Sequence, residues 1–284
     1  TGATGATWSG GTGTYSPNAN TLNAVYTPSA AERTAGTVTL TLTTVGNGTC
    51  NAESAQVTYT ITPAPTANAG IDRVVCANNA AVTLNGSFTV ATGGVWSGGT
   101  GTFDPSTTNM NAIYTPTAAE IANGNVTLTL TTTGNAGCIA VADQMVISFT
   151  PAAVVNAGAS VSVCANNAAV ALNGSVTGAT GGAWSGGAGT YAPNNTTLNA
   201  TYTPTAGEIA AGTLTLTLTS TGNGTCLPVT SNRVITFTPA PVVNAGSNAS
   251  VCANNSAITL NGSVTGATGG TWTGGAGTYA PNNT

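Results

Sequence analysis

The sequence contains no histidine and no lysine, and only ten of its 284 residues carry charge: three arginines and seven acidic residues. Ordinary soluble domains are about one quarter charged. Each shortage excludes something. A serine or cysteine nucleophile has no histidine or lysine to act as its base. A zinc site built from clustered cysteine and histidine lacks the histidine, and no two cysteines stand in a CxxC pair. With no basic patch, the phosphates of nucleic acid have nothing to bind, and anionic membrane surfaces are poor partners for the same reason. A lysine–asparagine isopeptide cross-link is impossible. No initiator methionine, signal peptide or membrane-spanning apolar run is present. Disorder driven by charge is also excluded, since 41% of the chain is hydrophobic.

What fills the chain instead is threonine, glycine, alanine and asparagine, in a repeating order. Trp8, Trp96, Trp184 and Trp272 stand 88 residues apart, as do Cys50, Cys138 and Cys226, and Cys76, Cys164 and Cys252. Residues 164–174 read CANNAAVALNG and residues 252–262 read CANNSAITLNG. A fixed period of this length is the mark of a tandem array. The first and last residues fall inside the repeat, so the sequence reads as a stretch of a longer protein. Proline-marked linkers predict complete repeats over 66–153 and 154–241, with partial repeats over 1–65 and 242–284.

Within one repeat, residues 81–86 (AVTLNG) alternate apolar and polar side chains, the pattern of a half-buried strand. Thr92, Gly93 and Gly94 turn the chain into the Trp96 segment. Residues 117–124 (TAAEIANG) predict one or two helical turns, with Thr117 and Glu120 as a capping box and Gly124 as the stop. Residues 125–133 (NVTLTLTTT) set Val126, Leu128 and Leu130 on one face and Thr127, Thr129 and Thr131 on the other. Residues 144–150 close the repeat. About seven short strands, with turn signals every 8–12 residues and a tryptophan on an early central strand, predict an all-β fold of tandem immunoglobulin-like sandwiches. Residues 154–158 (VVNAG) read as a short, stiff linker.

The ordered motifs NAG, VCANN, LNGS, GGxWSGG, YTPTAAEI, TLTLT and GNGTC resemble the immunoglobulin-like, PKD-like repeats of giant bacterial surface adhesins. Gliding and predatory bacteria export such adhesins through the type IX secretion system. The resemblance covers the whole chain. It implies an extracellular or cell-surface stalk, fibre or filament segment.

The residues open to a chemical role are few. Trp8, Trp96, Trp184 and Trp272 are expected in the core, with stacking on surface glycans as the competing reading. Glu32, Glu120 and Glu208 recur in the capping position, while Glu53, Asp72, Asp104 and Asp143 are scattered. General acid–base chemistry needs carboxylates that converge, and calcium needs six to eight clustered oxygens. Asp72 in a linker is the one calcium candidate, weakened by Ser160 and Asn248 at the same phase. Asn47, Asn85, Asn125, Asn173 and Asn195 head Asn-x-Ser/Thr triplets, as composition alone would produce.

Two cysteines per repeat point to disulfides and an oxidising compartment. Pairing within a repeat is the first expectation: Cys76 with Cys138 and Cys164 with Cys226, leaving Cys50 and Cys252 to partners beyond these residues. Each such loop of about 60 residues would contribute roughly 4 kcal/mol. The objection is that immunoglobulin topology puts those two turns at opposite ends. A bridge between neighbouring repeats, such as Cys76 with Cys226, is the alternative.

The sequence therefore predicts a non-enzymatic structural segment of a secreted adhesin. It needs no catalytic residue, metal or cofactor. Its partners are neighbouring repeats and further copies of itself in a bundle or filament. Glycan-binding repeats and spacer domains of a secreted hydrolase are the alternatives.

Overall fold

The computed structural model describes residues 2–284 and is all-β apart from three six-residue helices. The chain divides into two compact units, Thr1–Thr150 and Pro151–Thr284. The first contains a complete sandwich over 66–150, and the second a complete sandwich over 154–238.

The first sandwich is organised by its longest strand, Asn125–Thr133. That strand pairs antiparallel with Gly93–Ser97 on one side and with Ala142–Thr150 on the other. Arg73–Cys76 then adds in parallel to Ala142–Thr150, so that Cys76 lies opposite Thr150. The opposing layer is the three-stranded sheet of Thr102–Asp104, Ile113–Thr115 and Val82–Thr83, with the Thr66–Asn68/Ser87–Thr89 hairpin as a separate pair. The second sandwich repeats this order with Thr213–Thr221 as its long strand and Val161–Cys164 in parallel to Thr230–Thr238.

The period-two pattern explains the layers. Val126, Leu128 and Leu130 point inward from the long strand and meet Met145, Ile147 and Phe149 from its neighbour. Val82, Leu84, Ala112 and Tyr114 close the core from the facing layer. Apolar area removed from water stabilises this arrangement by about 25 cal/mol per Å². Thr127 is exposed, whereas Thr129 and Thr131 are partly covered. Thr132 is buried on the core side, and its hydroxyl is satisfied by accepting the Val141 N–H at 3.0 Å.

The predicted helix forms as Ala118–Asn123, with both halves of the capping box made by Thr117 and Glu120 and with Gly124 in the left-handed region. Four local readings change. The 81–86 segment keeps ladder pairing only over Val82–Thr83 and then follows Ala112 and Met110 through single backbone bonds from Leu84 and Gly86. The expected VVNAG linker is a strand, Val154–Asn156, because its apolar residues pair with Ser175–Thr177. The tryptophan strand is an edge strand of its sheet and not a central one. Finally, the complete sandwich has nine strands among the described residues and not about seven, since three-residue pairings such as Thr102–Asp104 are too short to show a period.

The pairing of cysteines within a repeat is not formed. Cys76 and Cys226 are disulfide-bonded, whereas Cys138 and Cys164 are free, as are Cys50 and Cys252. The reason is geometric. Cys76 lies beside Thr150, at the end of Ala142–Thr150, and Cys138 lies in the hairpin before that strand begins. A nine-residue strand at ~3.3 Å per residue separates the two by about 30 Å, and a disulfide needs Cα atoms within about 7 Å.

Candidate functional site

The tryptophans are placed by a glycine. Trp96 and Trp184 are buried, at 1% and 0% exposure. A Cβ on Gly86 would lie 2.7 Å from Trp96 Cζ2, so the LNG turn packs directly against the indole. Only glycine permits that approach. The Trp184 Nε1–H donates to the Leu198 carbonyl at 3.1 Å, and Trp8 does the same to Leu22 at 3.0 Å. Trp96 Nε1 has no hydrogen-bond partner among the described residues. Trp8 and Trp272, in the partial repeats, are partly exposed. The cleft beside Trp8, lined also by Tyr26, Leu40 and Tyr59, corresponds to positions that in the 66–150 sandwich are filled core.

A polar constellation built on the capping glutamate recurs in three repeats. Glu120 Oε1 accepts the Thr100 N–H at 2.6 Å and the Tyr114 hydroxyl at 2.8 Å. Its Oε2 accepts the Thr117 N–H at 2.8 Å and the Thr117 hydroxyl at 3.1 Å. The Tyr114 oxygen in turn accepts the Gly101 N–H at 3.0 Å. The tyrosine ring packs on Phe103 with centroids 4.8 Å apart. Glu32 with Tyr26 and Glu208 with Tyr202 reproduce the arrangement. The knot thus ties the short helix, the SGGTG turn and the Ile113–Thr115 strand together. A Cβ on Gly99 would fall 2.1 Å from the Tyr114 hydroxyl, and its φ of +70° already favours glycine.

The electrostatics follow from this cage. Burial alone would raise the Glu120 carboxyl, but donors from Thr117, Thr100 and Tyr114 outweigh it and hold the group at about 2. Glu32 and Glu208 are likewise held at about 2. Tyr114 is pushed up to about 12 by burial and by its bond to Glu120. Both Glu120 oxygens are occupied by donors, and the group stays ionised at neutral pH. It therefore has no proton to give and no free lone pair aimed at a substrate. The sequence showed the capping box but not the tyrosine; a tyrosine six residues before each capping glutamate is the signal that could have located it.

Two of the remaining acids, Asp143 and Asp72, are tied to backbone. Asp143 Oδ2 accepts the Ala69 N–H at 2.8 Å, and Asp72 Oδ1 accepts the Val146 N–H at 2.8 Å. In the next sandwich Ser231 and Ser160 accept the equivalent N–H groups of Ala157 and Val234 at 3.1 and 3.3 Å. A hydroxyl serves in place of each carboxylate, so negative charge is not what the position requires. No cluster of three or more metal-ligating side chains occurs among the described residues. Arg233 is buried at the position of Met145; it donates to the Ala171 carbonyl at 3.1 Å, and burial lowers its pKa. Among the described residues no helix is long and apolar enough to cross a membrane.

No family model matches the chain, and no curated protein sequence matches it. Its fold is similar to several solved tandem arrays. The titin I-band fragment I67–I69 is 10% identical over 82% of this chain and 87% of that one, with a TM-score of 0.42. Mouse cadherin-23 EC22–24 is 13% identical, covering 83% and 86%, with a TM-score of 0.32. Protocadherin gamma B2 extracellular cadherin domains 3–6 are 15% identical, covering 85% and 69%, with a TM-score of 0.32. At these identities the likeness concerns the fold alone.

Proposed function

We propose that the chain is a stretch of the shaft of a large secreted, cell-surface adhesin, and that it supplies length, stiffness and resistance to proteolysis. The boundaries 66–153 and 154–241 define its complete repeats in this reading. The observation that carries it is the fate of the recurring residues. The tryptophans of the complete sandwiches lie in the core, and every repeated glutamate is enclosed by hydrogen-bond donors from its own repeat. Neither of these recurring groups is left facing outward with chemistry to offer. The neutral threonine and asparagine surface has little charge repulsion, which favours side-by-side association of copies. The motif resemblance described above supplies the extracellular setting and the type IX export route.

The test is immunogold electron microscopy of the producing cells with antibody raised to this chain. Label distributed along surface filaments is the expected result. Label confined to soluble secreted material would overturn the reading. Glycan-binding repeats make a different forecast: tryptophan emission of the purified chain would shift on adding surface polysaccharide. With Trp96 and Trp184 buried, no shift is expected of the chain carrying Trp8→Phe and Trp272→Phe.

A further inference from the structure

We propose that the sandwich over 154–238 holds one small monovalent anion, of the halide class, against the guanidinium of Arg233.

The strand Thr230–Thr238 sets Ser231 and Arg233 on its inner face, where Arg233 lies opposite Leu216 of the long strand Thr213–Thr221. Its surroundings on that face are core: Leu216 and Ile235 are fully buried. The arginine itself is 8% exposed. A guanidinium stays protonated in proteins, so this position carries a full positive charge into a hydrophobic sandwich. An unpaired charge in such a place is costly, and buried charges are therefore as a rule paired.

The protein supplies little to pair it. Arg233 Nη1 donates to the Ala171 carbonyl at 3.1 Å, and Nε has no partner among the described residues. A carbonyl oxygen solvates the cation without neutralising it. Residues 151–284 contain one acid, Glu208. Its Oε1 accepts the Tyr202 hydroxyl and the Ala188 N–H, and its Oε2 accepts the Thr205 N–H and hydroxyl. It has no oxygen to spare for Arg233.

The sandwich over 66–150 shows the contrast. It has Met145 at the position of Arg233 and Asp143 at that of Ser231. There a carboxylate stands on the inner face without a cation. Here a cation stands on it without a carboxylate. A Cβ on Gly158 would lie 3.7 Å from Arg233 Nη1, so the guanidinium ends beside a residue with no side chain to cover it.

The charge and size of the ligand follow. One guanidinium is neutralised by one negative charge, and a divalent ion would leave a buried charge of the opposite sign. An exposure of 8% lets a small ion touch the side chain and shuts out a large one. Chloride and bromide meet both conditions, whereas fluoride holds its water too tightly to enter.

The experiment is hydrogen exchange of the whole chain, read by mass spectrometry, as bromide replaces fluoride at constant ionic strength. Peptides from Thr213–Thr221 and Thr230–Thr238 are compared with those from Asn125–Thr133 and Ala142–Thr150 of the other sandwich. An ion that binds only the closed form slows exchange by about tenfold when it stands about tenfold above its Kd. Bromide should slow the first pair of strands in this saturable way and leave the second pair unchanged. Ser231→Asp places a tethered carboxylate beside Arg233 and should abolish the bromide effect. Arg233→Met, which installs the residue found at this position in the other sandwich, should abolish it too. If Arg233→Met does not fold, Ser231→Asp still decides. Equal slowing in both sandwiches, a bromide effect that survives in either variant, or no effect in the unaltered chain would overturn the proposal.

Discussion

At the residue scale the decisive group is a carboxylate that never meets solvent freely. Glu120 holds four donors with two oxygens, and its count of hydrogen bonds sets both its charge and its cost of removal. Hydrogen bonds to a charged group are worth about 1.5–3 kcal/mol each, and leaving a donor unmet costs about as much. Glu120→Gln keeps the shape but turns an amide N–H toward existing donors. We expect a loss of at least about 2 kcal/mol in urea unfolding of the chain, whereas Glu53→Gln, with an exposed side chain, should be neutral. The pH dependence follows in sign. Glu120 is held at about 2 in the fold, below its unfolded value of about 4.3. Its contribution is therefore complete above that unfolded value and is lost as pH falls toward 2. Tyr114, raised to about 12, behaves oppositely: its contribution is complete below about 10 and is lost as pH rises through 12. Thermal melts across pH should show a plateau between those limits. A maximum confined to near neutrality would contradict it.

At the element scale the long strand carries the sandwich. Leu128 is fully buried and lies opposite Met145, while its neighbour Thr127 faces solvent. Truncating Leu128 leaves a cavity that a close-packed core cannot fill, so Leu128→Ala should cost about 2–5 kcal/mol. Thr127→Ala, one residue away, should cost less than about 1 kcal/mol. Paired chemical denaturation of the two variants checks the inward and outward assignment; equal effects would refute it. This strand was readable in advance because nine alternating residues leave one assignment that buries the leucines. Three-residue strands such as Thr102–Asp104 were not readable, since their partners are chosen by the facing chain and not by a period of their own.

At the scale of the whole molecule the shortage of charge becomes a property of the surface. Trypsin has three sites, Arg33, Arg73 and Arg233. Arg33 is exposed in the helix Ala30–Ala35, Arg73 is partly covered at the start of a strand, and Arg233 is buried. Limited digestion of the native chain should cut first after Arg33 and should spare Arg233. Early cleavage at Arg233 would mean that the Thr230–Thr238 strand opens readily, contrary to the burial of Arg233 in the sandwich.

The sequence by itself determined the period, the fold class, the long strands and the capped helix, because each is written within a few residues of itself. Alternation, caps and turn glycines act locally. The tertiary structure alone decided that Cys76 and Cys138 lie at opposite ends of their sandwich, where the tryptophan strand sits in its sheet, and that Tyr114 closes the cage around Glu120. The cysteines make the point most clearly. Their spacing allowed either pairing, and only the placement of Cys76 beside Thr150, with Cys138 at the far end of a nine-residue strand, removed the one within a repeat. Sequence distance says nothing about which ends of a sandwich come together; strand length and direction do.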